Sequence, residues 1–580
     1  MGFLTRHEFP TLPVLNPKEL EQLITRLSAY KAITLDGLSD IMFTKENRKR
    51  TAQIFVGLWS INLKDMPGIL CSLTSRLVPL NKIFPKVPNR KQMRPILICS
   101  PLQKLLEARF LPKLMDYLES KLVPCQTGFI PKMGIQVNLY RAIQRIKTRT
   151  ENKENVYGLF IDFANAYNTV PHTLLFQKLR QKKCLDDQEI DYLEALYTNY
   201  RIRIGKRIIK FNKGVAQGSI LSPALFNIFI EDLADKLSQE LKMSIEDILM
   251  YADDILLLCD SQCQIRKCVQ IIEEWSKQNG MELNKDKSGI VIFAPRKAKK
   301  IPLMEAETIL NSQGKVVRRE WVPNQKNICQ IPILSSYKYL GTYLDSKLTM
   351  RNQLVHIKDK SNYLFFQLYP YLSNATADGR QDMWRTMVLP LFNAILLLSY
   401  FEKAQIGNWN MLRLLIGTFK KFMMIPKNTS TTLVAEMLGL NFEELVQLNC
   451  INSEEKWEAR KERRPPDLIQ RTEFYNYLKG IPNEWCHILR QQCRVCPICK
   501  NGIRNEYHME TFHNTEIYNY KTLWTNIKKT HETFVMEQRK KKSSIFKVKR
   551  TKFLEYWKPR LHALVEDTTN KFKLIYIRAS

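Results

Sequence analysis

The sequence predicts an α+β fold assembled from several domains. Its 580 residues are 44% hydrophobic and 25% charged, a composition typical of globular proteins. At roughly 100 to 200 residues per domain, this length allows about three to six domains. Between residues 156 and 293, three short apolar runs of strand character alternate with helical patterns. These runs are Val156–Ile161, Asp247–Leu258 and Gly289–Phe293.

The pattern along the chain divides it into six segments: 1–155, 156–345, 346–450, 451–485, 486–514 and 515–580. The first alternates amphipathic helices with loops, the second is α+β, and the third is helical. The second also carries a basic insertion at 295–327, which we expect to be exposed. The fourth is a charged linker, the fifth concentrates cysteine and histidine, and the sixth is a basic tail.

The charge balance predicts a polyanionic partner. Lysine and arginine number 89 against 57 aspartates and glutamates, which gives a net charge of +32. Nucleic acid is the simplest partner of this kind, although an anionic membrane surface also attracts basic proteins. The sequence shows neither a signal-peptide pattern nor an apolar run long enough for a membrane span, so we expect an intracellular protein.

The most informative segment places two adjacent acids between apolar arms. Asp253 and Asp254 separate Ile248–Tyr251 from Ile255–Leu258, and each arm favours burial. Carboxylates at the end of a buried hairpin repel one another and lose hydration, so divalent cations stabilise them; oxygen ligands suit Mg²⁺. The alternative interpretation is a core strand whose turn happens to be acidic.

A second acid follows another apolar strand. Asp162 comes directly after Val156–Ile161. Two acidic strand ends can meet in one antiparallel sheet and hold two cations, an arrangement that serves phosphoryl or nucleotidyl transfer. The two sites together therefore favour a metal-dependent transferase over an accidental acidic turn.

Several motifs carry a family resemblance. Tyr251–Asp254 resembles the YADD box of reverse transcriptases, and Ile161–Tyr167 resembles their first palm motif. Gly214–Asn227 is similar to the GVPQGSVLSPLLFN signature of non-LTR retrotransposon polymerases, with Ala216 in place of the proline. Shorter elements in the same order are Asp36–Gly37, Arg94–Ile96, Gln126–Phe129, Asn284–Lys287 and Tyr339–Gly341. The chain thus resembles LINE-type reverse transcriptases over about residues 15 to 440.

The resemblance implies a right-hand polymerase. Fingers would lie within 1–155, a ferredoxin-like palm within 156–345 and a helical thumb within 346–450, followed by a zinc-knuckle-like appendage at 486–514. The implied activity is RNA-directed DNA synthesis on a primer 3′-hydroxyl with two Mg²⁺ or Mn²⁺ ions, in target-primed reverse transcription. The implied partners are an RNA template, a DNA primer or nicked target DNA, and deoxynucleoside triphosphates, with no membrane and a nuclear location.

The resemblance also assigns catalytic and nucleotide-binding residues. Asp162 and Asp253 would be metal ligands, Asp254 would add charge beside them, and the carbonyl of Phe163 would complete one coordination sphere. Tyr167 would stack under the incoming sugar and disfavour a 2′-hydroxyl.

Further contacts would surround the nucleotide. Lys86 and Arg94 would hold the triphosphate, and Gln217 and Gly218 would lie against the nascent base pair. Lys287 would protonate the departing pyrophosphate. For both lysines the alternative is an ordinary solvated surface charge.

A cysteine and histidine cluster predicts a zinc site near the C-terminal end. Cys496, Cys499, His508 and His513 have a spacing that suits tetrahedral Zn²⁺ in a structural role. Cys493 and His487 are alternative ligands, and free thiols beside surface histidines are the simpler interpretation. The basic run from Glu537 to Arg550 suits phosphate binding, nuclear targeting or plain solvation.

Two other functions remain open at this point. A domesticated or decayed element would bind RNA without copying it, and an intron-maturase-type reverse transcriptase would share the same motifs.

Overall fold

The structure is a computed structural model of the chain, and it describes residues 10–27, 38–62, 72–81, 87–89, 92–295, 298, 300–310, 316–392, 395, 397–398, 405–424 and 453–463. They fall into two compact units. The first contains the described residues up to Leu340, together with Leu344–Lys347 and the described residues from Glu454 onward. The second contains Gly341–Tyr343 and the described residues from Leu348 to Ser453.

The described residues form strands and helices throughout both units. The strands are β1 (Thr74–Asn81), β2 (Met93–Ile98), β3 (Val156–Ile161), β4 (Arg201–Ile204), β5 (Arg207–Lys210), β6 (Ile248–Tyr251), β7 (Asp254–Cys259), β8 (Gly289–Phe293), β9 (Met304–Leu310), β10 (Val316–Pro323), β11 (Asn327–Ile328), β12 (Ile331–Pro332), β13 (Ser336–Tyr339) and β14 (Thr342–Asp345). The α-helices are α1 (Pro17–Ile24), α2 (Arg48–Phe55), α3 (Pro101–Ala108), α4 (Leu111–Ser120), α5 (Ile135–Glu151), α6 (Ala166–Thr169), α7 (His172–Lys182), α8 (Asp187–Asn199), α9 (Ser222–Leu241), α10 (Gln262–Gln278), α11 (Arg351–Asn374), α12 (Ala377–Met387), α13 (Gln405–Phe422) and α14 (453–461). Short 3-10 helices are Asp40–Phe43, Leu58–Ser60, Ile245–Asp247 and Leu389–Phe392.

The central sheet of the first unit is antiparallel, with the strand order β6-β7-β3-β8. Every residue of β3 and β8 is buried, as are most residues of β6 and β7, which is why these strands read as continuous apolar runs. Helix α5 packs on β3 and β6, and α10 packs on β3 and β7. The succession of strand, helix, strand, strand, helix, strand is ferredoxin-like. The three strand regions predicted from the sequence are confirmed.

A second, mixed sheet has the order β2-β1-β4-β5. Strand β1 pairs antiparallel with β2 and parallel with β4. The N-terminal segment is fastened to helix α3, because Lys104 Nζ and the Asp40 carboxylate form a buried ion pair at 2.7 Å. The Trp59 indole also donates a hydrogen bond to the Leu106 carbonyl at 3.1 Å. Strand β2, which carries Arg94, belongs to the same compact unit as the central sheet.

The second unit is helical over α11 to α13. Trp384 on α12 is fully buried, packs edge-on against Phe419 at 5.1 Å between ring centroids, and donates a hydrogen bond to the Thr418 hydroxyl at 3.0 Å. Among the described residues, no helix combines the length and apolar character that crossing a membrane requires.

Within the segment predicted as a linker at 451–485, the structure describes residues 453–463, and most of these are helical rather than extended linker. Residues 453–461 form helix α14, which belongs from Glu454 onward to the first unit. Trp457 and Arg460 are buried although most of their neighbours are charged. The charged composition of this segment predicted a solvated linker. Composition alone does not reveal that one face of the helix is covered by protein.

Candidate active site

The adjacent acids of the hairpin lie at the turn between β6 and β7. Tyr251 pairs with Asp254 across this turn, so only Ala252 and Asp253 connect the two strands. Ala252 has a left-handed backbone with a φ of 54°, which costs an L residue roughly 1–2 kcal/mol. Asp253 therefore lies at the tip of a tight turn at the edge of a buried sheet.

Asp162 reaches the same edge from the neighbouring strand. Strand β3 pairs with β7 in a register that places Ile161 opposite Ile255. Asp162 is the next residue after Ile161, and its charge acts on the carboxylate of Asp254, so the two acids lie near one another. The backbone of Asp162 is held on both sides: its N–H donates to the Ser288 hydroxyl at 3.1 Å, and its carbonyl accepts the Asn284 N–H at 2.9 Å.

The three carboxylates influence one another electrostatically. Burial, together with the nearby charge of Asp162, raises the pKa of Asp253 above its ordinary value. Asp254 keeps an exposed surface, yet its pKa is raised to about 7. The larger cause is desolvation of its carboxylate by surrounding protein, and the smaller cause is repulsion from Asp253 and Asp162. Arg94 on β2 opposes both shifts through its positive charge. The sheet edge thus concentrates negative charge opposite one guanidinium.

The chemistry of this acidic edge fits a hard divalent cation. Raised carboxylate pKa values mean that the bare anions are disfavoured, and a cation would relieve that cost. In the described part of the chain, no three His, Cys, Asp or Glu side chains are already arranged as a metal site. Mg²⁺ commonly binds through one or two carboxylates and completes its coordination with water and substrate phosphates. The residues present therefore fit an ion whose coordination substrate would complete.

The acidic turn is supported by the loop that follows α4. The Gln126 side chain binds both polar groups of Ala252: its Oε1 accepts the Ala252 N–H at 2.8 Å, and its Nε2 donates to the Ala252 carbonyl at 3.3 Å. Gly128 packs so closely that a Cβ there would overlap the backbone of Tyr251 and Ala252. Asn227 in turn donates to the Gly128 carbonyl at 2.6 Å. These contacts hold the left-handed conformation that precedes Asp253.

Tyr167 lies beside the acids. Its ring stacks on Phe226 with 4.5 Å between centroids and an interplanar angle of 12°. Burial, with Asp253 nearby, raises the pKa of the Tyr167 phenol. Its hydroxyl is buried without a hydrogen-bond partner among the described residues, so an unsatisfied polar group lies close enough to Asp253 to feel its charge. Phe163 is also buried, and its backbone forms a bridge with Leu283.

The segment containing Gln217 and Gly218 lies against β2. The Leu97 N–H donates to the Gln217 carbonyl at 2.7 Å. Gly218 has a φ of 139°, and a Cβ at this position would overlap the Leu97 carbonyl oxygen. Glycine is therefore required both by the backbone conformation and by the close approach. Ala216 is buried and packs in a small cluster with Leu97 and Cys99.

Glu107 holds this segment from behind, a role that the sequence analysis missed. Its fully buried carboxylate accepts hydrogen bonds from the Ser219 hydroxyl at 2.8 Å, the Ile220 N–H at 3.1 Å, the Tyr200 hydroxyl at 2.8 Å and Gln103 Nε2 at 3.1 Å. Burial raises the pKa of Glu107 despite these donors. A glutamate within the apolar helix α3 is the only local signal that could have indicated this contact.

Lys287 lies on a turn tied to Asp162. Its N–H donates to the Asn284 side chain at 3.3 Å, and its carbonyl accepts the Tyr337 hydroxyl at 3.0 Å. The side chain of Lys287 is exposed. Tyr337, also missed from the sequence, stacks on Phe160 at 4.3 Å, and burial beside Asp162 and Asp254 raises its pKa.

The remaining predicted residues lie outside the described residues. These are the triphosphate ligand Lys86 and the zinc ligands Cys496, Cys499, His508 and His513.

A buried antiparallel sheet that presents aspartates at one edge, beside an arginine on a second sheet, is the arrangement expected of the palm of a right-hand polymerase. Comparison with known proteins agrees, since residues 84–344 match the family "Reverse transcriptase (RNA-dependent DNA polymerase)". The RNA-directed DNA polymerase from mobile element jockey of Drosophila melanogaster is 26% identical over 280 residues, covering 46% of this chain and 28% of that protein.

Two further relatives extend the comparison. The Pol polyprotein from type-1 retrotransposable element R2 of Popillia japonica is 30% identical over 268 residues, covering 44% of this chain and 36% of that protein. The jockey polymerase of Drosophila funebris is 22% identical over 402 residues, covering 65% of this chain and 40% of that protein. The chain therefore matches well under two thirds of the length of each relative.

Among solved structures, an apo telomerase from Candida tropicalis truncated from its C-terminal domain aligns with a TM-score of 0.31 and 13% identity, over 40% of this chain and 53% of that chain. That score is too low to establish a shared fold, so the fold assignment depends on the topology and the family match. Residues 84–344 thus match a reverse transcriptase domain, and the relatives named above that resemble this part of the chain are polymerases of jockey and R2 mobile elements. The resemblance seen in the motifs is confirmed.

Proposed function

We propose that this protein is an RNA-directed DNA polymerase that adds deoxynucleotides to a primer 3′-hydroxyl along an RNA template. The observation that carries the proposal is the meeting of Asp162, Asp253 and Asp254 at one edge of the central sheet, within a reverse transcriptase domain. Its named relatives are polymerases of mobile elements. We therefore place the activity in retrotransposition, with nicked target DNA as the primer.

The acids would hold the catalytic cations. Asp162 and Asp253 are the proposed ligands of two Mg²⁺ or Mn²⁺ ions, Asp254 adds negative charge, and the Phe163 carbonyl lies on the residue next to Asp162. When bound, such ions activate the attacking hydroxyl and stabilise the leaving pyrophosphate. The raised pKa values of Asp253 and Asp254 support this assignment, because a bound cation would favour their ionised forms.

The surrounding residues would bind the nucleotide. Arg94 would contact the triphosphate, for which its planar guanidinium is suited, and Lys86 is proposed beside it. Tyr167 would lie under the sugar, where its ring would exclude a 2′-hydroxyl. Gln217 and Gly218 would contact the nascent base pair through a backbone that is free of side-chain bulk at Gly218.

Lys287 is the proposed proton donor to pyrophosphate. Lys287 is exposed, and its turn is connected to Asp162 through hydrogen bonds of Asn284. We infer from this connection that the ammonium extends into the space in front of the acids. An ammonium group in that space carries a proton that it can give up to a departing oxyanion.

The polyanionic substrates account for the positive charge. A net charge of +32 would favour contacts to RNA and DNA backbones, so affinity should fall steeply as salt rises. Cys496, Cys499, His508 and His513 would bind one structural Zn²⁺ in a small nucleic-acid-binding unit. A nuclear location follows from the proposed use of chromosomal DNA as primer.

Primer extension on an RNA template tests the proposal. The full chain should extend a DNA primer with deoxynucleotides and Mg²⁺, and should incorporate ribonucleotides poorly. Asp253→Asn should reduce the rate by about 10³-fold, because lost metal binding removes several kcal/mol of transition-state stabilisation. Asp187→Asn, an exposed position on helix α8, is the matched control and should retain the rate.

RNA binding separates this function from the alternative. Asp253→Asn should still bind the RNA–DNA duplex, since its defect is chemical. A chain that binds RNA with no extension would favour an RNA-binding protein derived from such an element, whereas extension unaffected by Asp253→Asn would contradict the role proposed for the acids.

A further inference from the structure

Arg460 is a buried arginine far beyond the reverse transcriptase match. It lies on helix α14 and is only 3% exposed. Its guanidinium donates to five backbone carbonyls at the end of α4 and in the following loop. These acceptors are Leu118 at 2.7 Å, Glu119 at 3.0 Å, Leu122 at 3.4 Å, Val123 at 3.3 Å and Gln126 at 3.4 Å.

The acceptors explain why a charge is tolerated here. The last carbonyls of a helix have no partner within the helix, and they carry the negative end of its dipole. Burial lowers the pKa of Arg460 to about 10, so the side chain stays charged at neutral pH. The two terminal nitrogens of its planar fork carry four N–H donors and can satisfy several carbonyls at once, which a lysine cannot do with the same geometry.

A second contact joins the same helix to the same loop. Trp457 lies against Arg141, whose guanidinium carbon is 3.5 Å from the ring centroid. Arg141 is also buried and donates to the carbonyls of Cys125 and Ile248, each at 3.2 Å. Helix α14 therefore supports both the loop after α4 and the first residue of β6.

This loop leads directly to the acidic turn. The Cys125 carbonyl accepts the Met250 N–H at 3.0 Å, and the Thr127 N–H donates to the Met250 carbonyl at 3.0 Å. Between them, Gln126 binds the N–H and the carbonyl of Ala252 with its side chain, while its own carbonyl accepts from Arg460. A continuous series of hydrogen bonds thus connects Arg460 to the residue before Asp253.

We propose that Arg460 is a positioning residue for polymerisation, which holds the acidic turn in place through residues 118–126, the end of helix α4 and the loop that follows it. The polymerase site would then depend on helix α14 as well as on residues 84–344. This inference rests on the proposed function for its kinetic consequence, although the mechanical connection can be measured separately.

The test compares variants of the full chain. Arg460→Ala should lower kcat for deoxynucleotide incorporation by about 10- to 100-fold, the effect of a shift of about 1 Å in catalytic geometry, with KM for the nucleotide changed less than about 2-fold. Arg460→Lys, which keeps the charge and part of the contacts, should fall between Arg460→Ala and the parent. Arg463→Ala removes an exposed arginine at the end of the same segment and should match the parent.

Two further measurements detect positioning itself. Amide hydrogen exchange should become faster in peptides spanning 118–129 and 248–256 in Arg460→Ala, but not in Arg463→Ala. Millimolar guanidinium should partly restore kcat in Arg460→Ala and leave the parent unchanged, since the ion can occupy the vacated carbonyl site.

The outcomes separate the two proposals. If the parent chain extends no primer, the proposed function fails, and the exchange measurement still decides whether Arg460 holds the turn. Kinetics and exchange equal to those of Arg463→Ala would overturn the inference. A lower kcat without faster hydrogen exchange in these peptides would also overturn the inference. Loss of the whole fold in both Arg460 variants would overturn it too, because Arg460 would then be a general stability residue.

Discussion

Replacing Gly218 by alanine should impair nucleotide incorporation more than it impairs folding. The added Cβ would overlap the Leu97 carbonyl oxygen far inside the 3.0 Å that real Cβ atoms keep, and the Leu97 carbonyl carbon lies at 3.1 Å. Because this oxygen belongs to strand β2, it cannot rotate away, and Gln217 has to move by about 1 Å. A displacement of this size at a substrate-positioning residue costs about 10²-fold in rate. The φ of 139° adds roughly 1–3 kcal/mol of backbone strain.

Gly205→Ala is a control that introduces backbone strain from a positive φ without any overlap between the added Cβ and a neighbouring atom. Gly205 also has a positive φ, of 60°, but no atom lies within 4 Å of the position that a Cβ would take on this β4–β5 turn. Single-turnover incorporation on an RNA template should therefore fall about 10²-fold in Gly218→Ala and change little in Gly205→Ala, with thermal unfolding measured for both. Equal incorporation rates in the two variants would refute the close-approach argument.

Three other predictions concern stability, sugar selection and zinc. Burial raises the pKa of Glu107 above 4.5, so its favourable contribution to stability is largest below about pH 4.5 and is lost as pH rises toward the raised value. Glu107→Gln should therefore gain stability relative to the parent as pH rises above about 4.5 in urea unfolding, and a pH-independent difference would contradict this. Tyr167→Ala should remove the ring stacked on Phe226 and increase ribonucleotide incorporation by about 10-fold or more relative to deoxynucleotides. An unchanged preference for deoxynucleotides over ribonucleotides would show that Tyr167 does not contact the sugar. The purified chain should contain about one zinc ion by elemental analysis, and Cys499→Ser should lower that content; a zinc-free parent would leave the cysteines as free thiols.

The sequence predicts the central sheet well because its information is local. Val156–Ile161 and Gly289–Phe293 are apolar along their whole length, and such runs require burial on both faces wherever they lie. The acids at 162 and 253 follow from the same patterns, since each comes at the end of a buried strand. Motif order then indicated the family without any knowledge of packing.

The supporting residues could not be predicted because their partners are distant in the sequence. Glu107 contacts Ser219 across 112 positions, and Arg460 contacts Gln126 across 334 positions. Arg460 has no local pattern that distinguishes it from a surface charge, and the only local signal at Glu107 is its position within the apolar helix α3. For helix α14, the burial of Ser453, Trp457 and Arg460 at helical spacing marks one covered face, but in the sequence this face mixes polar, aromatic and charged residues.

Iron-dependent cleavage of the protein backbone tests the central claim most directly. Fe²⁺ replacing Mg²⁺ at the shared site, with ascorbate and peroxide, should cut the chain near Asp162 and near Asp253 in the same molecules, and Asp253→Asn should suppress both cuts together. Cleavage at only one of the two positions, or cleavage that Asp253→Asn leaves unchanged, would contradict a cation site shared by these acids.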